Sequence, residues 1–215
     1  EFEMKFNSQI ILGSKLTKFS QDIIKNEPML FSCDAKSAYD LGGPITRDFL
    51  NHMLTFDKLD NLIFDSRVHM LMPGWFPCIP GFHHDDVPRE REDLQPNYIN
   101  PSYKSSHCLA LYGGEIAPTE FAIGEAEFSD VPLGQKCYKI WHKEVEEKIE
   151  QRILEKVKAP SEQMVYFDWN TWHQGVRAVG NGWRFFIRAS WNTNRKPTNE
   201  IRRQVQVYLE KPMEG

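Results

Sequence analysis

A chain of 215 residues with 40% hydrophobic and 13% aromatic content suits one folded domain with a real core, not a disordered segment. Its formal net charge of -4 excludes a broad basic field of the kind a general nucleic-acid binder carries, although a local basic patch stays open. The four cysteines, Cys33, Cys78, Cys108 and Cys137, form no Cys-x-x-Cys pair, so they read as buried free thiols of a reducing compartment.

The N-terminal "EFEMKFNSQ" lacks the apolar run of a secretory leader, and the three residues before Met4 read as a cloning remnant. No apolar stretch approaches the ~20 residues that span a bilayer, so a soluble, cytoplasmic protein without a membrane partner is the expectation. "SKLTKFSQDIIKNE" (14–27) and "PITRDFLNHMLTF" (44–56) have periodicities compatible with short helices, with "YDLGG" as a turn between them. From Arg67 onward the pattern changes to short apolar or alternating runs separated by Pro and Gly. "RVHMLMP" (67–73), "HCLALYG" (107–113), "TEFAIGE" (119–125), "QMVYFDW" (163–169), "HQGVRAV" (173–179), "WRFFIRAS" (183–190) and "RQVQVYL" (203–209) read as strands of a sandwich or barrel. One inserted helix is expected over 142–158, where Val145, Ile149, Ile153 and Val157 recur every four residues opposite a charged, solvated face. No linker or repeat divides the chain. We therefore expect a single domain over 1–215, mainly β, with N-terminal helical elements over about 1–66.

Two segments carry chemistry. The first is "PGWFPCIPGFHHDDVPRER" (73–91), whose centre offers His83, His84, Asp85 and Asp86 beside Trp75, Phe76 and Phe82. In an extended chain residues two apart share a face, so either His83 with Asp85 or His84 with Asp86 points into a cavity. The second is "QMVYFDWNTWHQGVRAVGNGWRFFIRAS" (163–190), in which a strand leads through Asp168 and Trp172 to His173. The "GNG" at 180–182 is a hairpin signal and predicts that His173 and Arg184 lie on neighbouring antiparallel strands. Arg188 follows on the face of Arg184, about 13 Å along. Asp168 reads as a strand-end cap or as a group that orients a metal ligand, and His107 and His142 as structural.

A His-x-Asp, a distal His and an Arg eleven residues later resemble the Fe(II)- and 2-oxoglutarate-dependent oxygenases, in the motif layout of taurine dioxygenase and phytanoyl-CoA hydroxylase. Thr119-Glu120-Phe121 matches the Thr-x-Phe of the taurine dioxygenase group and lies between the two ligand segments, as in that family. The resemblance covers roughly Arg67 to Ser190. It implies a double-stranded β-helix (jelly-roll, cupin-like) core, with Fe(II) held by His83, Asp85 and His173. It further implies that Arg184 pairs with the distal carboxylate of 2-oxoglutarate, that Thr119 contacts this cosubstrate, and that Arg188 approaches substrate or cosubstrate. A Gly-aromatic pair often precedes the first ligand His of the family, which favours His83 and Asp85 over His84 and Asp86.

The implied activity is decarboxylation of 2-oxoglutarate to succinate and CO2 with O2, coupled to hydroxylation of an organic substrate that the sequence does not identify. A carboxylate at position 85 argues against the halogenating branch, where a small residue leaves room for chloride. Trp75, Phe76, Phe82 and Trp172 are candidates for lining the pocket or for the core. Other classes compatible with the pattern are a cupin-like metal or ligand-binding module without oxygenase activity, and a zinc or manganese hydrolase or isomerase. The basic stretch "NTNRKPTNEIRRQ" (192–204) reads as a surface loop or as steering for an anionic substrate; nothing in the pattern sets an oligomeric state.

Overall fold

A computed structural model describes residues 4–53 and 61–209. The last three residues of the second expected helix, 54–56, lie outside them. Among the described residues two antiparallel sheets face each other, with helices on both outer faces.

The first sheet is built on β6 (Thr119–Phe128), which pairs with β1 (Met4–Ser8), β7 (Glu155–Lys158) and β9 (Trp172–Gly175). The second has the order β2 (Ile11–Lys15), β8 (Gln163–Asp168), β5 (Ser106–Tyr112), β10 (Gly182–Trp191), β4 (Ile63–Leu71). The short β3 (Leu30–Phe31) and β11 (Glu200–Ile201) pair separately.

Strand alternation assigns the faces. On β10, Phe185, Ile187 and Ala189 join Cys108, Ala110 and Tyr112 of β5 in a core beneath three helices. These are α1 (Gln21–Asn26), α2 (Ala35–Leu41) and α3 (Pro44–Met53), which contribute Ile24, Ala38, Ile45, Phe49 and Leu50. The opposite face of this sheet meets the first sheet through Leu109, Leu111, Phe121, Val165 and Phe167. On the far side of the first sheet, Phe6, Ala122, Phe128 and Trp172 pack on Trp141 and Val145 of α4 (Cys137–Glu150). No helix among the described residues is long and apolar enough to cross a membrane.

Four expectations need correction. The first sixty residues are not purely helical, because β1 and β2 extend one sheet each. The inserted helix spans Cys137–Glu150, not 142–158. Arg152 at φ 61 ends it, and Val157 pairs with Phe121 in β7. Three steps of four residues advance about 120° beyond whole turns, so Val145 and Val157 would not share one helical face.

"RQVQVYL" forms no strand. Its backbone is taken up by separate contacts, His69 Nε2 on Gln206 O at 2.9 Å and Tyr208 paired with Phe76, and Leu209 is 66% exposed. Finally, the "GNG" turn makes no hairpin, because neither Gly180 nor Asn181 adopts the positive φ that a type I′ turn needs. The chain instead crosses between the sheets: Ala178 N donates to Trp75 O and Val179 N to Ile116 O, and β9 and β10 end up facing each other across the core.

Candidate metal centre

That crossing builds the site. A cavity of about 210 Å³ lies between the sheets, lined from one side by Thr119, His173 and Gly175 and from the other by Arg67, His69, Arg184 and Arg188. His83 and Asp85 enter it from the long connection between β4 and β5. The connection is pinned to β9 as an extra strand would be. His83 N donates to His173 O (3.0 Å) and His173 N to His83 O (3.2 Å). Phe82 N donates to His142 Nδ1 at 3.0 Å, so His142 of α4 fixes the backbone just before His83. Close approach at Gly175 completes the anchor, since a Cβ there would stand 2.1 Å from Cys78 Sγ.

The structure brings His83, Asp85 and His173 together: one donor atom from each lies within 4.8 Å of the others, and the group could hold a metal ion. His84 and Asp86 face elsewhere. The His84 ring lies on Trp172 with centroids 3.7 Å apart, and its Nδ1 meets Tyr98 Oη at 2.6 Å. Asp86, at φ 52, accepts from Tyr103 Oη at 3.1 Å.

The donor atoms suit a cation. His83 Nδ1 lies 2.8 Å from Gly81 O and His173 Nδ1 lies 2.9 Å from Thr171 O. A carbonyl only accepts, so both Nδ1 atoms carry the proton and both Nε2 atoms are left with lone pairs. Those lone pairs face a carboxylate: His83 Nε2 is 3.5 Å from Asp85 Oδ1 and His173 Nε2 is 3.0 Å from Asp85 Oδ2. His173 Nε2 is buried without a hydrogen-bond partner. Acceptors facing acceptors need a positive charge between them, either protons or a metal ion. The titration of the side chains follows the same demand. Burial alone would lower the His83 imidazole, but Asp85 outweighs it and raises it above the ordinary histidine value. Burial would raise the Asp85 carboxyl, but Arg188, which donates from Nη1 to Asp85 Oδ2, and His173 hold it well below the carboxylate range.

Arg184 lies deeper, 3% exposed, with Nε on Ala117 O at 2.8 Å and Nη2 on Thr119 Oγ1 at 3.4 Å. Burial lowers it to about 10. Among the described residues no carboxylate lies within 4.0 Å of it: Glu120 is 3.7 Å from Lys156, and Asp168 caps its own turn through Thr171 and Asn170. His107 makes buried bonds to Ser105 and Ser190 and offers no donor atom to the cluster.

Of the two roles open to the four flanking aromatics, none of the four takes the cavity lining. Phe82 and Trp172 belong to the core under α4, Trp75 packs beside Leu71, Ala117 and Ala178, and Phe76 pairs with Tyr208. Phe167 and Phe186 line the cavity instead. All four cysteines are free, and Cys78 lines the cavity where the other three are buried. Sequence reasoning missed Arg67 and His69. Asp65, Arg67 and His69, three polar residues at alternate positions of β4, were the available signal.

No protein-family model matches the chain, and no curated protein matches it. Among solved structures, the crystal structure of HygX from Streptomyces hygroscopicus with iron bound is similar, with a TM-score of 0.37 and 9% identity over 87% of this chain and 83% of that one. So loose a likeness carries no argument about function.

Proposed function

We propose that the protein is a non-haem Fe(II)- and 2-oxoglutarate-dependent dioxygenase that hydroxylates an organic substrate on a double-stranded β-helix core. The observation that carries this reading is Arg184, a buried guanidinium with no carboxylate partner among the described residues, on the same cavity as the His83, Asp85 and His173 cluster. A metal-binding module without redox chemistry needs the cluster but gives no reason to bury an unpaired cation, which costs several kcal/mol unless a ligand neutralises it.

Two imidazoles and one carboxylate with open positions are the donor set of non-haem Fe(II) oxygenases. Iron so held would supply the site at which the 2-oxo acid and O2 react, giving succinate, CO2 and a hydroxylated product. The protein's own residues do the rest. Arg184 offers its fork to the distal carboxylate of 2-oxoglutarate. The Thr119 hydroxyl, which accepts from Arg184, keeps its own proton to donate to the same carboxylate. Leu109, Phe167 and Phe186 give the cavity apolar walls that exclude water. The alternation of β7, β8, β9 and β10 between the two sheets supports the β-helix reading.

Anaerobic addition of Fe(II) and 2-oxoglutarate should produce a weak visible charge-transfer band. Arg184→Ala should weaken 2-oxoglutarate binding by tenfold or more, about the worth of a charge-assisted contact. Absence of succinate from protein supplied with Fe(II), ascorbate and O2 would remove the oxygenase reading.

A further inference from the structure

A second cavity of about 440 Å³ adjoins the first and shares Arg67, Pro77, Cys78 and His83 with it, so one of the three candidate metal ligands lies on the wall common to both. Its outer wall is the segment 202–208, which supplies Arg202, Gln204 and Tyr208. This wall is tied down: Arg202 N donates to Met29 O, Gln206 O accepts from His69, and Tyr208 pairs with Phe76.

The charge of this second cavity is one-sided. Among the described residues no Asp or Glu lines it. Among the described residues no carboxylate lies within 4.0 Å of Arg67, whose charged neighbours Arg184 and Arg202 are cations. Arg202 is poorly compensated as well. It lies 3.7 Å from Asp65, which Arg195 already holds at 2.7 Å, and its Nε is buried without a partner.

Register locates Arg67 further. On the cavity-facing rows of β4 and β10, Arg184 stands opposite His69, Phe186 opposite Arg67, and Arg188 opposite Asp65. Arg67 thus projects from the edge strand between the levels of Arg184 and Arg188, where the two cavities meet. With 2-oxoglutarate on Arg184 and the metal, Arg67 is left without an anion. Guanidinium groups crowded together with only one shared, partly engaged carboxylate between them favour an anionic occupant.

We propose that the second cavity receives the primary substrate, and that this substrate is a small organic anion whose carboxylate or phosphate pairs with Arg67 and Arg202. The proposal rests on the oxygenase reading. It assigns the anionic end of the substrate to Arg67 and Arg202, leaving a C–H bond of its body to face the cluster past His83.

Sulfate is the probe, titrated by calorimetry and by thermal denaturation into protein saturated with Mn(II) and 2-oxoglutarate, with Mn(II) preventing turnover. Sulfate should bind and raise Tm beyond the increase given by 2-oxoglutarate. Arg67→Gln should weaken sulfate about tenfold or more, Arg202→Gln less, and Arg67→Lys should restore part of the affinity. Arg184→Gln should lose the 2-oxoglutarate response and keep the sulfate response. Loss of the sulfate response at saturating 2-oxoglutarate would mean that both anions compete for one site and would overturn the proposal, as would undiminished sulfate binding by Arg67→Gln. A sulfate response that follows Arg67 with no 2-oxoglutarate response at all would sink the oxygenase reading and leave the anion site standing. Succinate formation in the presence of Fe(II) and a panel of monocarboxylates, phosphate monoesters and neutral amides then separates the two anion chemistries. Equal stimulation by the neutral amides would overturn the substrate class.

Discussion

At the scale of single residues, the site depends on which neighbour of a pair is turned inward. His83 and His84 are chemically identical, and packing tells them apart. His84 fills the space on Trp172, with burial holding its imidazole neutral well below the usual histidine value. His83 instead directs Nε2 towards Asp85. His84→Ala should therefore cost stability, about 2–4 kcal/mol from lost packing and the lost hydrogen bond to Tyr98, whose hydroxyl keeps Tyr138 as a partner, measured by urea denaturation. Metal affinity, followed by calorimetry with Mn(II), should change little. His83→Ala should do the reverse, sparing most of the stability and removing most of the metal binding. If the two variants exchange these roles, the ligand register is His84 and Asp86.

At the scale of elements, the site depends on a loop behaving as a strand. The connection after β4 has too much Pro and Gly for a ladder, yet it delivers His83 in register with His173. Gly175 makes this possible, because a side chain there would collide with Cys78. Gly175→Ala should destabilise the protein by about 1–3 kcal/mol through overpacking. It should also weaken Mn(II) binding, because the displaced segment carries the first ligand. The double variant Gly175→Ala with Cys78→Ala should recover much of both losses, and failure of that rescue would show that contact with Cys78 is not what holds the segment.

At the scale of the whole molecule, the polar interior makes stability depend on pH. Burial lowers His69 to about 4 and His107 to about 3, against an ordinary value of 6.5. Between the lowered and the ordinary values the unfolded chain binds protons that the folded chain refuses. The stability these groups contribute is therefore complete above about pH 6.5 and falls as the pH drops, until the folded histidines themselves protonate. Each group contributes a slope of about 1.4 kcal/mol per pH unit within its window. Urea midpoints should fall steadily from pH 7 to pH 4, and His107→Gln should flatten the slope while lowering stability at neutral pH. A flat profile over that range would mean that neither imidazole is held neutral.

Much was legible in the sequence because it depends on local pattern. Alternation and short apolar runs marked six of the strands, and the His-x-Asp, His173 and Arg184 spacing marked the candidate site. Alternation also limited the "HHDD" segment to two ligand pairs, since adjacent residues of an extended chain cannot face one cavity. Local pattern could not say which strands would pair. The "GNG" turn predicted a hairpin, but the chain crosses between sheets, and that crossing sets His173 and Arg184 on opposite walls of one cavity. Arg67, His142 and the wall formed by 202–208 reach the site only through contacts far apart in sequence. Residue types and spacings therefore determined which chemistry this chain can carry. The tertiary structure alone decided which side chains meet, because a buried polar group takes its partner from whatever strand or helix the packing sets opposite it.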